Sequence, residues 1–160
     1  MYNYGLFVNN NSGEIMNENR ELLEILYKNI KMGKDSTSKL LELLKDKDNK
    51  IKNLLEEELQ RYEEFFKRCK GLMKKYDISI SSSNALANIT SSIAMSFEVS
   101  KDNSDSKISS ILIRGFNMGN IDIESKIKDY KNIVNEELLS LSKELLNFGQ
   151  KQIDLLKEYL

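Results

Sequence analysis

Histidine, proline and tryptophan are absent from these 160 residues, and cysteine occurs once. Without histidine there is no Ser-His-Asp triad, no Cys-His dyad, no imidazole acid–base work and no His-ligated zinc or iron. A single cysteine makes neither an internal disulfide nor a thiolate cluster. The lack of proline suits long, unbroken helices. Charge of one sign is missing too. Twenty-four basic residues face 25 acidic ones, so the net charge is −1. Such a chain offers no general pull on nucleic acid, and none is expected as a partner. No apolar run reaches the 18 residues of a membrane span. The first twenty residues lack the basic and apolar segments of a signal peptide, so the expected location is the cytoplasm. Lysine, asparagine and isoleucine are heavily used while arginine is scarce, as in an AT-rich, bacterial-type genome.

What is present is a soluble globular balance, 40% hydrophobic and 31% charged. One domain of this size buries about 70% of its unfolded surface and needs neither metal nor disulfide to fold. Residues 1–16 read as a loose tail, rich in Asn, Ser and Gly. A helix is expected from Asn17 or Asn19, either serving as its cap, with Leu22, Leu26, Ile30, Leu40 and Leu44 on one face. The polar stretch 45–49 reads as a turn. A second helix, 50–75, carries Ile51, Leu55, Leu59, Tyr62, Phe66, Cys69 and Met73 on one side. After a break at 77–83, residues 84–99 read as a short amphipathic helix. It either covers the bundle or binds a partner or membrane surface. Two more helices follow: 105–131 with Ile108, Leu112, Phe116, Ile123 and Tyr130, and 134–159 with Val134, Leu138, Leu141, Leu145, Phe148 and Leu156. Strand and hairpin signals are lacking. The expected architecture is a single all-α domain over 17–160: hairpin 17–76, crossover 77–104 with its short helix, hairpin 105–160. Long antiparallel helices of this kind pack as an up-down four-helix bundle.

The two hairpins repeat. At an offset of 86 positions, Ile25, Leu26, Met32 and Gly33 meet Ile111, Leu112, Met118 and Gly119, and Leu55, Glu58, Leu59 and Tyr62 meet Leu141, Glu144, Leu145 and Phe148. One ungapped offset serving both helices points to duplication. The Met-Gly segments 32–41 and 118–127, together with LQRYEEFFK (59–67) and the ending LLKEYL (155–160), resemble an uncharacterised family of small ferritin-like four-helix proteins from clostridia and their relatives. The similarity spans 17–160. It implies the bundle fold and no settled activity.

Ferritin-like di-iron sites take a carboxylate from each of two helices and Glu-x-x-His from the other two. Here Glu58 lies about 40° from the centre of its apolar face, and Asp122 about 60° from Gly119, at about 100° per residue. Glu144 falls nearer the edge of its face, and the first helix offers Ser36 at the matching place. Arg61 and Asn147 stand where the histidines would be. Glu58, Asp122 and Glu144 are therefore candidates for a degenerate carboxylate site for iron or manganese, with Mg²⁺ and Ca²⁺ open to the same oxygen donors. The other reading is structural, with Glu58 bonded to a lysine, Tyr62 or Thr37. Gly33, Gly115 and Gly119 fall on inward faces, for close packing or to leave room for a bound group. The basic cluster Lys67, Arg68, Lys70, Lys74 and Lys75 either complements a helix dipole or meets an anionic partner. Cys69 on the apolar face reads as an inert thiol. Serines and threonines at 79–110 lack a basic partner, so no hydrolase is expected. The expected function is non-enzymatic binding or structure, without a cofactor, as a homodimer or with an unidentified protein partner. The first alternative is the metal-binding protein, and a further one is a carrier holding a small ligand in the glycine-lined midsection.

Overall fold

A computed structural model of the chain describes residues 10–80 and 102–160. They form four α-helices: α1 Asn10–Leu43, α2 Lys52–Lys75, α3 Asp105–Tyr130 and α4 Glu136–Leu156, followed by a 3₁₀ turn at Lys157–Tyr159. No strand occurs among the described residues. Residues 1–9 of the expected tail and the expected helix 84–99 lie outside them.

Each helix buries a seam at helical spacing. On α1 it is Leu22, Leu23, Leu26, Ile30, Thr37 and Leu40. On α2 it is Leu55, Glu58, Tyr62, Phe65, Cys69 and Met73. Leu59 and Phe66, expected on the α2 face, are only half-buried, and Phe65 is fully enclosed instead. The buried face is thus rotated toward Glu58, which puts that carboxylate deeper than its sequence neighbours suggest. Ile108, Leu112, Phe116 and Ile123 line α3, and Leu138, Leu141, Leu145, Ile153 and Leu156 line α4.

The α1 start corrects the expectation. Helix begins at Asn10, so the 10–16 part of the expected tail is helical. Extending a helix past a packed segment adds a hydrogen bond per residue without a new nucleus, which offsets weak propensity. Met16 there is 71% exposed, so this turn projects beyond the core. Asn19 is not the cap of its own helix. It is buried inside α1, and its Oδ1 accepts from the Asn135 backbone N–H at 2.9 Å, capping α4 across the bundle. At its far end α2 closes in a Schellman motif, Ile78 N–H to Met73 O at 2.9 Å and Asp77 N–H to Lys74 O at 3.3 Å. Asp77 takes the left-handed position at φ 52°, and Ile78 is buried.

Three sets of contacts fix the directions. Asp105, at the α3 start, accepts from Asn49 Nδ2 at 2.7 Å and from the Lys50 N–H at 3.0 Å, beside the α2 start. Glu137, at the α4 start, meets Lys75 and Tyr76 at the α2 end, at 2.6 and 2.7 Å. Tyr130, ending α3, donates to Glu21 in the first half of α1 at 2.6 Å. Helices therefore alternate within each hairpin, while α2 and α3 run the same way. The chain leaves α2 at one end of the bundle and enters α3 at the other, a helix length of about 36 Å away. α1 packs beside α2 and α3, and α4 beside both.

Candidate functional site

The seams of α1, α3 and α4 are interrupted at glycine. A Cβ on Gly33 would fall inside the Tyr62 ring, so α2 fills the gap in α1 with a tyrosine. Gly119 of α3 gives its space to the Asn29 side chain of α1, and Gly149 of α4 gives its space to Asn120 of α3. Packing accounts for Gly33 and Gly119. Gly115 differs: a Cβ there would meet nothing within 4 Å. The two readings of the midsection glycines thus divide between positions.

Gly115 borders a cleft of about 920 Å³ between the helices, partly open to solvent past the exposed Arg114, Met118 and Asp122. All four helices contribute to its wall. Most of the surface is apolar, from Met32, Leu112, Ile123, Leu145, Met118 and three aromatic rings. Tyr62, Phe116 and Phe148 form one cluster, with ring centres 5.1 Å (Tyr62–Phe148), 6.0 Å (Phe116–Phe148) and 6.3 Å (Tyr62–Phe116) apart. Polar groups interrupt this wall: Asn29, Ser36, Thr37, Glu58 and Asn120, with the charged Lys107, Arg114 and Asp122 of α3.

Glu58 is the chemically distinctive one. Its exposure is 1%. Thr37 Oγ1 donates to its Oε1 at 2.8 Å. Oε2 has no partner among the described residues, and neither has the buried Ser36 Oγ. Burial pushes the Glu58 carboxyl up to about 7, against the opposing pull of the Thr37 bond. Burial, and then the Glu58 charge, likewise push the Tyr62 phenol up. The carboxyl therefore exchanges its proton near neutral pH, in an apolar surrounding that favours the acid form.

The other two candidate carboxylates are elsewhere. Asp122 is exposed on α3 at the cavity wall. Glu144 faces α2 outside the cavity, where Arg68 holds it with two bonds of 2.6 and 2.8 Å and Ser140 adds a third at 3.3 Å. These partners, the Arg68 bond first, keep the Glu144 carboxyl below its ordinary range. No group of three or more Asp, Glu, Cys or His side chains among the described residues could hold a metal ion. The expected three-carboxylate site is thus not assembled: one member is buried, one solvated, one committed to arginine. An angular reading of isolated helices cannot see the Arg68 partner on α2 that draws Glu144 away.

Two members of the basic cluster have a further role. Arg68 and Lys75 tie α2 to α4 through Glu144 and Glu137. Exposed pairs of this kind are screened by solvent and add little to stability. Cys69 is fully buried, and burial pushes its thiol up to about 12, as an inert thiol requires. No described helix is long and apolar enough to cross a membrane. The aromatic cluster was legible only in part: the repeat paired Tyr62 with Phe148, but nothing marked Phe116 as their neighbour. No family model matches the chain, no curated protein matches it, and no solved structure matches it.

Proposed function

We propose that this is a non-enzymatic binding protein that holds a small, mostly apolar ligand in the partly open cleft between its helices. The cavity of about 920 Å³, with its wall drawn from all four helices, carries this reading. Small-molecule sites fall in the range of about 300–1,000 Å³, are mainly apolar and carry a few convergent polar groups. Glu58, Thr37, Ser36 and the two asparagines fit that description. This reading includes the ferritin-like plan of two duplicated hairpins with one long connection. The shared direction of α2 and α3, and the filled glycines Gly33 and Gly119 one repeat apart, support it. In this account Glu58 and Glu144 are repeat mates that diverged, one facing the ligand and one joining α2 to α4. The degenerate iron or manganese site draws no support from the donor positions, since Glu144 is paired away from Glu58.

The test uses N-phenyl-1-naphthylamine, a neutral probe that brightens in apolar surroundings. Saturable binding at one probe per chain is expected. The double variant Ser36→Phe/Gly115→Leu, which builds bulk into the cavity wall, should weaken it by about tenfold or more. An absence of saturable binding, or equal binding by a natively folded double variant, would overturn the proposal.

A further inference from the structure

The cavity's chemistry narrows the class of ligand. Its one fully enclosed ionisable carboxyl has an acceptor oxygen, Oε2, without a donor. A carboxylate buried without full compensation is costly, so a ligand that supplies a donor and a positive charge gains more here than in water. The surrounding rings act in the same direction, because an aromatic face attracts a cation within about 6 Å of its centre. Tyr62 follows Glu58 by one helical turn on α2 and is itself influenced by the Glu58 charge. Phe116 and Phe148 pack on Tyr62.

We infer that the ligand is a primary amine on an apolar body, its ammonium donating to Glu58 Oε2 and its body lying among Tyr62, Phe116 and Phe148. This deepens the reading of the cavity as a ligand site and rests on it. An anionic ligand is disfavoured by the same carboxylate, and a neutral alcohol gains the hydrogen bond without the charge.

Other charged groups on the wall do not displace this assignment. α1 and α4 contribute no titratable side chain to it, α2 adds Tyr62, and α3 adds Lys107, Arg114 and Asp122. Arg114 is exposed, and its Nε donates to the Ser110 carbonyl of its own helix at 3.4 Å. Asp122 is exposed as well, and Lys107 is half-buried. Burial and then the Thr37 bond shift the Glu58 carboxyl, and Lys107, Arg114 and Asp122 make no hydrogen bond to it. At pH below about 7 the carboxyl is protonated and the amine loses its partner ion; above it the ion pair is complete.

Tryptamine, tryptophol and indole-acetate share one ring system and differ in the terminal group. The chain contains no tryptophan, so indole fluorescence reports the probe without that background. Titrations at about pH 8 and about pH 5.5, on the wild type and Glu58→Gln, separate the contributions. At about pH 8 the wild type should bind tryptamine about tenfold tighter than tryptophol, with indole-acetate weakest. That preference should shrink at the lower pH and disappear in Glu58→Gln. Equal binding of tryptamine and tryptophol at both pH values overturns the amine assignment and leaves the cavity reading standing. Failure of all three indoles and of the neutral naphthyl probe overturns both. If Glu58→Gln does not fold, the wild type decides alone: an amine preference insensitive to pH overturns the assignment.

Discussion

Replacing Glu58 by glutamine should stabilise this protein above neutral pH, and the size of the gain follows from the burial. The carboxyl rises from an ordinary 4.5 to about 7 in the folded state, with burial as the main cause. Between those values the native state binds more protons than the unfolded chain, so stability falls as pH rises. The full difference is about 3 kcal/mol, lost between about pH 4 and pH 8 with most of it above pH 5. Glutamine matches the shape, keeps an oxygen for Thr37 and carries no charge. Glu58→Gln should therefore roughly equal the wild type near pH 5 and exceed it by about 2–3 kcal/mol near pH 8. Urea unfolding followed by circular dichroism at the two pH values measures the difference. The carboxyls held below their ordinary range, among them Glu21, Glu137, Glu144 and Asp154, act in the opposite sense and at lower pH. They are common to both proteins and cancel. A stability difference that does not change between the two pH values refutes the reasoning, because it would mean the carboxyl titrates alike in the folded and unfolded chains.

Thr37→Val removes the only hydrogen bond to the Glu58 carboxyl among the described residues. Its cost should be about 2 kcal/mol near pH 8, where the partner is charged, and about 1 kcal/mol near pH 5, read from the same unfolding curves. Two glycines should part company under alanine substitution. Gly71 on α2 has open space around it, so Gly71→Ala should gain about 1 kcal/mol and raise the melting temperature by about 2–4 °C. Gly33→Ala must displace the buried Tyr62 ring and should lose about 1–2 kcal/mol despite the same gain in helix propensity. Cys69 should react with a disulfide reagent only as fast as the chain unfolds, in a labelling time course across low urea concentrations; prompt reaction in native buffer would contradict its burial.

Legibility followed the range of the interaction. The α2 and α3 boundaries and the α4 start were readable to within two residues from local pattern alone, while the last helix, expected to 159, ends at Leu156 and runs on as a 3₁₀ turn to Tyr159. The α1 start was not, because Asn19 looks like a cap for its own helix and instead caps α4 through Asn135, a partner 116 positions away. Glu58 was readable as inward-facing from its angle to Tyr62. Its depth was not, because burial of Phe65 in place of Phe66 turned the face toward it. Asp122 and Glu144 were readable as lying nearer the edges of their faces, but that one is solvated and the other held by arginine was decided by the neighbouring helices.

The sequence by itself determined that the described chain is helical, which faces are apolar, and that histidine-dependent chemistry is excluded. Those properties depend on the spacing of residues along one helix and on which side chains exist at all. The tertiary structure alone decided which carboxylate lost its water, which gained an arginine, and that Gly115 left space where Gly33 and Gly119 were filled. Solvation, charge pairing and void space are set by what the facing helices present, and no single helix carries that information.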